Sequence, residues 1–209
     1  MTTYPLQLPA HKSFKTLEMM IRHAVGVTEA PYSYASQTQD WGGDRWEGEF
    51  TLPRLEPEDG EPWMAFLDEL NGPAGSFVAG RPRKNVARGI ISATPTALVV
   101  DGDDNDGEVL NVRSATLVDV PLLIRAGDLF QLNTGDVARL YKSTRDVNLV
   151  SGEAAVPIRP QLRATPADGD PIVFLNPKGT WRLVTSAPPF EEDEIGHLII
   201  QPVPIVEWL

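Results

Sequence analysis

Apolar and polar residues alternate along Leu17 to Val27, "LEMMIRHAVGV". Leu17, Met19, Ile21, His23, Val25 and Val27 share one face, and Glu18, Met20, Arg22, Ala24 and Gly26 share the other. That period of two predicts one long, half-buried strand. The turn-rich "EAPYSYASQTQDWGGD" follows, and its Asp40-Trp41-Gly42-Gly43 corner predicts a bend. In "RWEGEFTLP" the alternation resumes, with Trp46, Gly48, Phe50 and Leu52 on one face. The period then changes. Trp63, Phe66, Leu67 and Leu70 recur at helical spacing, Pro57 or Pro62 suits a first turn, and acids gather at the start. Asn71-Gly72 supplies a stop, so a helix is predicted here. "GSFVAG" reads as a short strand running into the basic loop "RPRKNVARG".

From Ile90 the texture is one of short strands. "GIISATPTALVV" and "EVLNVRSATLV" flank the acidic turn "DGDDNDG". "VPLLIRAGDLFQLN", "ARLYKSTRDVNLV" and "EAAVPIRPQL" follow, with glycine at the bends. About five strands in such a span suit a small OB-type barrel. The chain ends with "PIVFLNPKGTWRLVT", the acidic "SAPPFEEDEIG" and the apolar "HLIIQPVPIVEWL". Pro202 and Pro204 remove donors there, which predicts an edge strand. The expected fold class is mainly β: a β-sandwich with one α-helix, formed by residues 1–89 and 170–209, with a small barrel inserted at 90–169.

Composition narrows the function classes. The 209 residues suffice for a real core. The formal net charge of −11, from 29 acids against 18 bases, argues against a nucleic-acid partner. No cysteine is present, so disulfides and thiolate chemistry are excluded. The N-terminus lacks a basic head followed by an apolar core, and no apolar run reaches membrane-spanning length, so synthesis in the cytoplasm without membrane insertion is expected.

Motifs that declare an enzyme are missing: no GxSxG, HExxH, phosphate loop or GxGxxG is found. The three histidines, His11, His23 and His197, are scattered, and His23 in its patterned strand reads as a packed or hydrogen-bonded residue. The run Asp101 to Gly107 fits no frame of a calcium loop and reads as a hairpin tip. Asp128 follows Gly127 at a strand bend and reads as a structural corner. No cofactor or metal is expected. Trp46 and Trp63 fall on apolar faces and read as core. Trp41, in a glycine-rich turn, is expected at the surface and is the candidate glycan contact. Arg81, Arg83, Lys84 and Arg88 form the one basic cluster, which reads either as a solvated loop or as a subunit contact; in the second case Glu191, Glu192, Asp193 and Glu194 are its natural counterpart on a neighbour. Ile205 and Trp208, on the expected C-terminal edge strand, are further candidates for pairing between subunits.

"RAGDLFQLNTGDVARLYKSTRDV" resembles the Ala-Gly-Asp-Leu-Phe barrel segment in the distal tail protein of T5-like siphophages. "WEGEFTLPRLEPEDGEPWMAFLDELNGPAGSFVAG" is similar to a pattern in related phage tail proteins: a Trp-containing strand ending in Leu-Pro, a helix with a Trp-x-x-Phe-Leu core, a Gly turn and a Gly-x-Phe strand. "IRPQLR" is similar to their barrel-closing Pro-x-Leu-Arg. The resemblance spans about residues 40 to 165. It implies a tail-tube-like sandwich with an OB-type barrel, and a non-catalytic structural virion protein. Such a protein forms a ring, a homohexamer, as the tail-tip or baseplate hub joining the tail tube to the tip. Its partners would be itself, the tail tube protein and the tip proteins. This chain departs from that pattern in its acidic balance and in the run 191–194. The alternative is a carbohydrate-binding module touching a host surface glycan. A third reading is a polysaccharide-degrading enzyme, although no spacing selects the carboxylate pair it would need.

Overall fold

The computed structural model describes residues 2–10, 13–82 and 85–209. The fold is mainly β with one α-helix. The N-terminal part contributes β1 (Leu6–Gln7), β2 (Thr16–Arg22), β3 (Val25–Glu29), β4 (Ser36–Asp40), β5 (Arg45–Thr51), α1 (Pro57–Glu69) and β6 (Phe77–Ala79). The middle contributes β7 (Val99–Val100), β8 (Val109–Arg113), β9 (Val120–Ile124), β10 (Leu129–Leu132), β11 (Arg139–Ser143), β12 (Val147–Leu149) and β13 (Glu153–Arg159). The C-terminal part returns with β14 (Gly179–Leu183), β15 (Phe190–Glu192), β16 (Leu198–Ile200) and β17 (Val203–Glu207).

The larger sheet has six strands in the order β1-β6-β14-β17-β5-β2, with only the β1–β6 pair parallel. Helix α1 covers it. Pro57 opens the helix at its first position, where a missing N–H costs nothing. Trp63, Phe66 and Leu67 are buried on one face, and Leu70 beyond the last turn is fully buried. Asn71 and Gly72 both take positive φ, 50° and 64°, and stop the helix where the sequence predicts. Rings of Phe14, Phe50, Trp63, Phe66 and Phe77 touch in succession, with centroids between 4.7 and 6.0 Å apart, and tie helix to sheet.

The second sheet, β10-β11-β13-β8-β7, curls so that both of its edges bridge to the stretch 171–173, through Val99↔Pro171 and Gln131↔Val173. Its core is separate from the first and draws on residues from Ala87 to Phe174. Ile172 and Phe174 therefore pack with the barrel rather than with the C-terminal part. Leu129 and Leu140 face the other way and join the sandwich core.

Three strand expectations are corrected. The strand expected over 17–27 ends at Arg22, which pairs with Arg45, the first residue of β5. Beyond that point β5 offers no partner, so the chain breaks at His23 and β3 pairs with β4 in a separate hairpin. Val25 and Val27 consequently face solvent. The stretch expected as a strand from Ile90 begins instead as a 3-10 turn, Ile90–Ala93. Its entrance is pinned because the backbone of Gly89 passes against Leu123, where a Cβ would stand 2.1 Å from the carbonyl oxygen.

The C-terminal strand is not an edge. β17 lies inside the sheet between β14 and β5. Pro204 is tolerated because its carbonyl accepts the N–H of Val184 at 3.1 Å, one residue past the end of β14. The donor that proline lacks would have served that same frayed end. Ile205 is 1% exposed in the sandwich core, so it is unavailable to a neighbouring subunit.

Candidate assembly surface

Asp128 is fully buried and accepts backbone N–H bonds from Arg88 (2.9 Å), Gly89 (3.0 Å) and Arg125 (3.0 Å). The Arg88 Nε adds a contact at 3.3 Å. Burial alone would raise its pKa. The backbone donors of Arg88, Arg125 and Gly89, together with the Arg88 side chain, outweigh burial and hold it below the usual carboxylate range. Asp128 is thus a structural corner that also fastens the strand-to-barrel connection at 88–89. Arg88 is committed to this clamp through Asp128 and the carbonyl of Ala126.

The acidic turn is organised by Asn105, which is 2% exposed. Its Nδ2 donates to the carbonyls of Asp101 and Gly102, and its Oδ1 accepts from the N–H of Asn111 at 2.7 Å. Arg113 pairs with both Asp101 and Asp168. That guanidinium, joined by the Gly102 N–H, depresses Asp168 to about 2. Among the described residues no group of His, Asp or Glu side chains is arranged to hold a metal ion.

His23 donates its Nδ1–H to Asp44 Oδ1 at 2.8 Å, and Asp44, buried, also accepts from Arg159 Nη1 at 2.6 Å. The histidine is therefore hydrogen-bonded, as the sequence predicts, but it sits at the strand break and is half exposed. His197 lies beside Asp193, which also pairs with Arg54. His11 lies outside the described residues.

Three surface features remain. The first is the β3–β4 hairpin, whose β4 is exposed at every residue and which carries Val25, Val27, Tyr32 and Tyr34 into solvent. Trp41 at its base is 67% exposed, as expected, with one side of its ring against Gly26. Trp46 and Trp63 are core residues.

The second feature is a cavity of about 300 Å³ beside α1, lined by Phe14, Trp63, Arg81, Asn85, Asn176 and Lys178 among others. Arg81 is exposed there, while Arg83 and Lys84 lie outside the described residues.

The third is the β15–β16 hairpin, on which Glu191, Glu192 and Glu194 are exposed and Asp193 is half-buried. The basic and acidic clusters are not paired with each other inside the chain, among the described residues: Arg88 goes to Asp128 and Asp193 to Arg54. Trp208 is half-buried at the end of β17.

Sequence patterning misses the cavity because four separate segments build it. It misses the β3–β4 hairpin because alternation runs unbroken through His23. Among the described residues no helix is long and apolar enough to cross a membrane. No protein-family model matches the chain, and no curated protein matches it.

Proposed function

We propose that this chain is a structural virion protein: a distal tail, or tail-tip hub, subunit of a long-tailed phage. It forms a ring that joins the tail tube to the tip or baseplate. The observation that carries this reading is the β3–β4 hairpin. A two-stranded hairpin is marginal in water by itself. This one stands apart from both sheets and exposes valines and tyrosines along its length. Exposed apolar surface of that kind marks a contact with another protein. The order of motifs, from the Trp-containing strand through the helix to the Ala-Gly-Asp-Leu-Phe corner, adds the tail-hub identity. Leu129 and Leu140 of the second sheet pack into the core of the first, so the two parts share packing, which suits a subunit under mechanical stress.

The test is the mass of the purified chain by light scattering, with negative-stain images of the same sample. A sixfold ring is the expected result. A monomer at every concentration overturns the reading. A second reading, a module that contacts a host surface glycan, is favoured by one observation: the open face of the Trp41 ring. Saturable glycan binding by a monomer, lost in Trp41→Ala, would establish it instead.

A further inference from the structure

The cavity beside α1 and the β15–β16 hairpin are opposite in charge and matched in kind. Arg81 and Lys178 line the cavity, both exposed, and neither has an ion pair among the described residues. Among the described residues no acidic residue lines it. In a chain of net charge −11 this is a local reversal of sign. The lining is also apolar where Phe14, Trp63 and Val78 contribute. The hairpin offers the complement. Glu191, Glu192 and Glu194 are exposed without an ion pair among the described residues. At the tip, Ile195 is 71% exposed. It is held there because its own N–H and that of His197 are fixed by Asp193 Oδ1, each at 3.0 Å.

The two features are built on different sides of α1. Trp63, in the cavity lining, belongs to the stripe that faces the sheet with Phe66 and Leu70. The hairpin instead packs its Leu198 on Gly60 and its Phe190 beside Met64 and Leu67, one stripe further round. No residue serves both.

We propose that the cavity receives the β15–β16 hairpin of a second copy of this chain. Ile195 enters against the half-buried Phe14, and the flanking glutamates face Arg81 and Lys178. Because the two surfaces differ, the contact is heterologous and propagates head to tail, closing into a ring when the rotation closes. The inference rests on the ring reading above and names its interface. Charge complementarity sets the register and orientation of the encounter, and the apolar tip supplies burial.

The experiment is sedimentation equilibrium of the full chain in four forms. These are the wild type, the hairpin variant Glu191→Lys/Glu192→Lys/Glu194→Lys, the pocket variant Arg81→Glu/Lys178→Glu, and an equimolar mixture of the two variants. All five positions are exposed, and circular dichroism confirms that each variant folds. Each variant alone brings like charges together, so its assembly weakens by roughly tenfold or more, about 1.4 kcal/mol. In the mixture every reversed hairpin meets a reversed pocket and every native hairpin a native pocket, so assembly returns. If the wild type assembles while the variants assemble equally well, or the mixture stays dissociated, this contact is overturned and the ring reading stands. A wild type that remains monomeric at every concentration overturns both.

Discussion

Trp46 donates its indole N–H to the carbonyl oxygen of Leu140, 94 residues further along the chain, at 2.7 Å. The bond crosses from the sandwich to the barrel, and both residues are buried. Arg159 with Asp44 (2.6 Å) and Arg163 with Glu207 (2.9 Å) cross at the same junction. The Glu207 carboxylate also takes the backbone N–H of Trp46 at 3.0 Å. The two cores are therefore fastened together by polar contacts, each with at least one buried partner.

Trp46→Phe removes the indole donor and leaves the Leu140 carbonyl buried without that partner. A loss of about 2 kcal/mol is expected. Its signature is a loss of coupling between the cores. In denaturant, the wild type unfolds in one transition by every probe. In the variant the remaining tryptophans, none of which lies between residues 87 and 174, report the sandwich transition, and backbone dichroism, which sums both cores, shows a second transition that the fluorescence lacks. Coincident transitions in the variant would show that the remaining pairs suffice.

Asp128→Asn tests the clamp. The amide keeps one acceptor oxygen and turns two donors towards a site that already holds the N–H groups of Arg88, Gly89 and Arg125. The expected cost is about 3 kcal/mol at neutral pH. The pH dependence has a definite sign. The folded pKa of Asp128 lies below its unfolded value, about 3.9, so its contribution is complete above that value. It is lost as pH falls through the folded pKa. The gap between wild type and variant, measured by urea unfolding, is widest near pH 7 and narrows below about pH 4. A gap independent of pH would mean that the charge on Asp128 contributes nothing.

What the sequence discloses here follows how local each cause is. Helix α1 is legible to the residue type at both ends, because Pro57, the Trp63-Phe66-Leu67-Leu70 stripe and Asn71-Gly72 lie within one short stretch. The corner at Gly127-Asp128 is legible for the same reason. Its partners at 88–89 are not, since they lie about forty residues earlier in the chain. The break at His23 leaves no mark in the alternation. It is set by where β5 begins, which is a property of the partner strand. Pro202 and Pro204 mislead because the rule against central prolines assumes a donor is needed on both sides along the whole strand. Here β14 ends first. Trp41 at the surface is legible, but the cavity and the acidic hairpin form a candidate pair only once α1 separates them in space.

Gly26→Ala probes the packing of Trp41. A Cβ at position 26 would stand 2.4 Å from Cη2 of the indole, so the ring must swing away from β3. Both residues belong to the hairpin rather than to either core. Global stability is therefore expected to change by under about 1 kcal/mol, while the indole becomes more exposed. Acrylamide quenching of the Trp41 signal, isolated by difference against Trp41→Phe, should rise. If Trp41 is the glycan contact, affinity falls in the same variant. A large drop in melting temperature would instead tie the hairpin to the sandwich core.

Deleting Ile205 to Leu209 separates an edge strand from a central one. An edge strand used for pairing between subunits could be lost while each subunit kept its fold. β17 instead holds β14 and β5 together, with Ile205 paired to Leu183 on one side and to Gly48 on the other. The deletion splits the six-stranded sheet and removes Ile205 and Val206 from the buried set. It also takes away Glu207, leaving the Arg163 guanidinium and the Trp46 N–H without their carboxylate. The combined loss is comparable to the whole stability of a domain, about 5–15 kcal/mol. The truncated chain is expected to lose its cooperative thermal transition and to be cut rapidly by protease within the sandwich. A truncated chain that melts like the wild type and fails only to assemble would return β17 to the sheet edge and restore Ile205 as an interface residue.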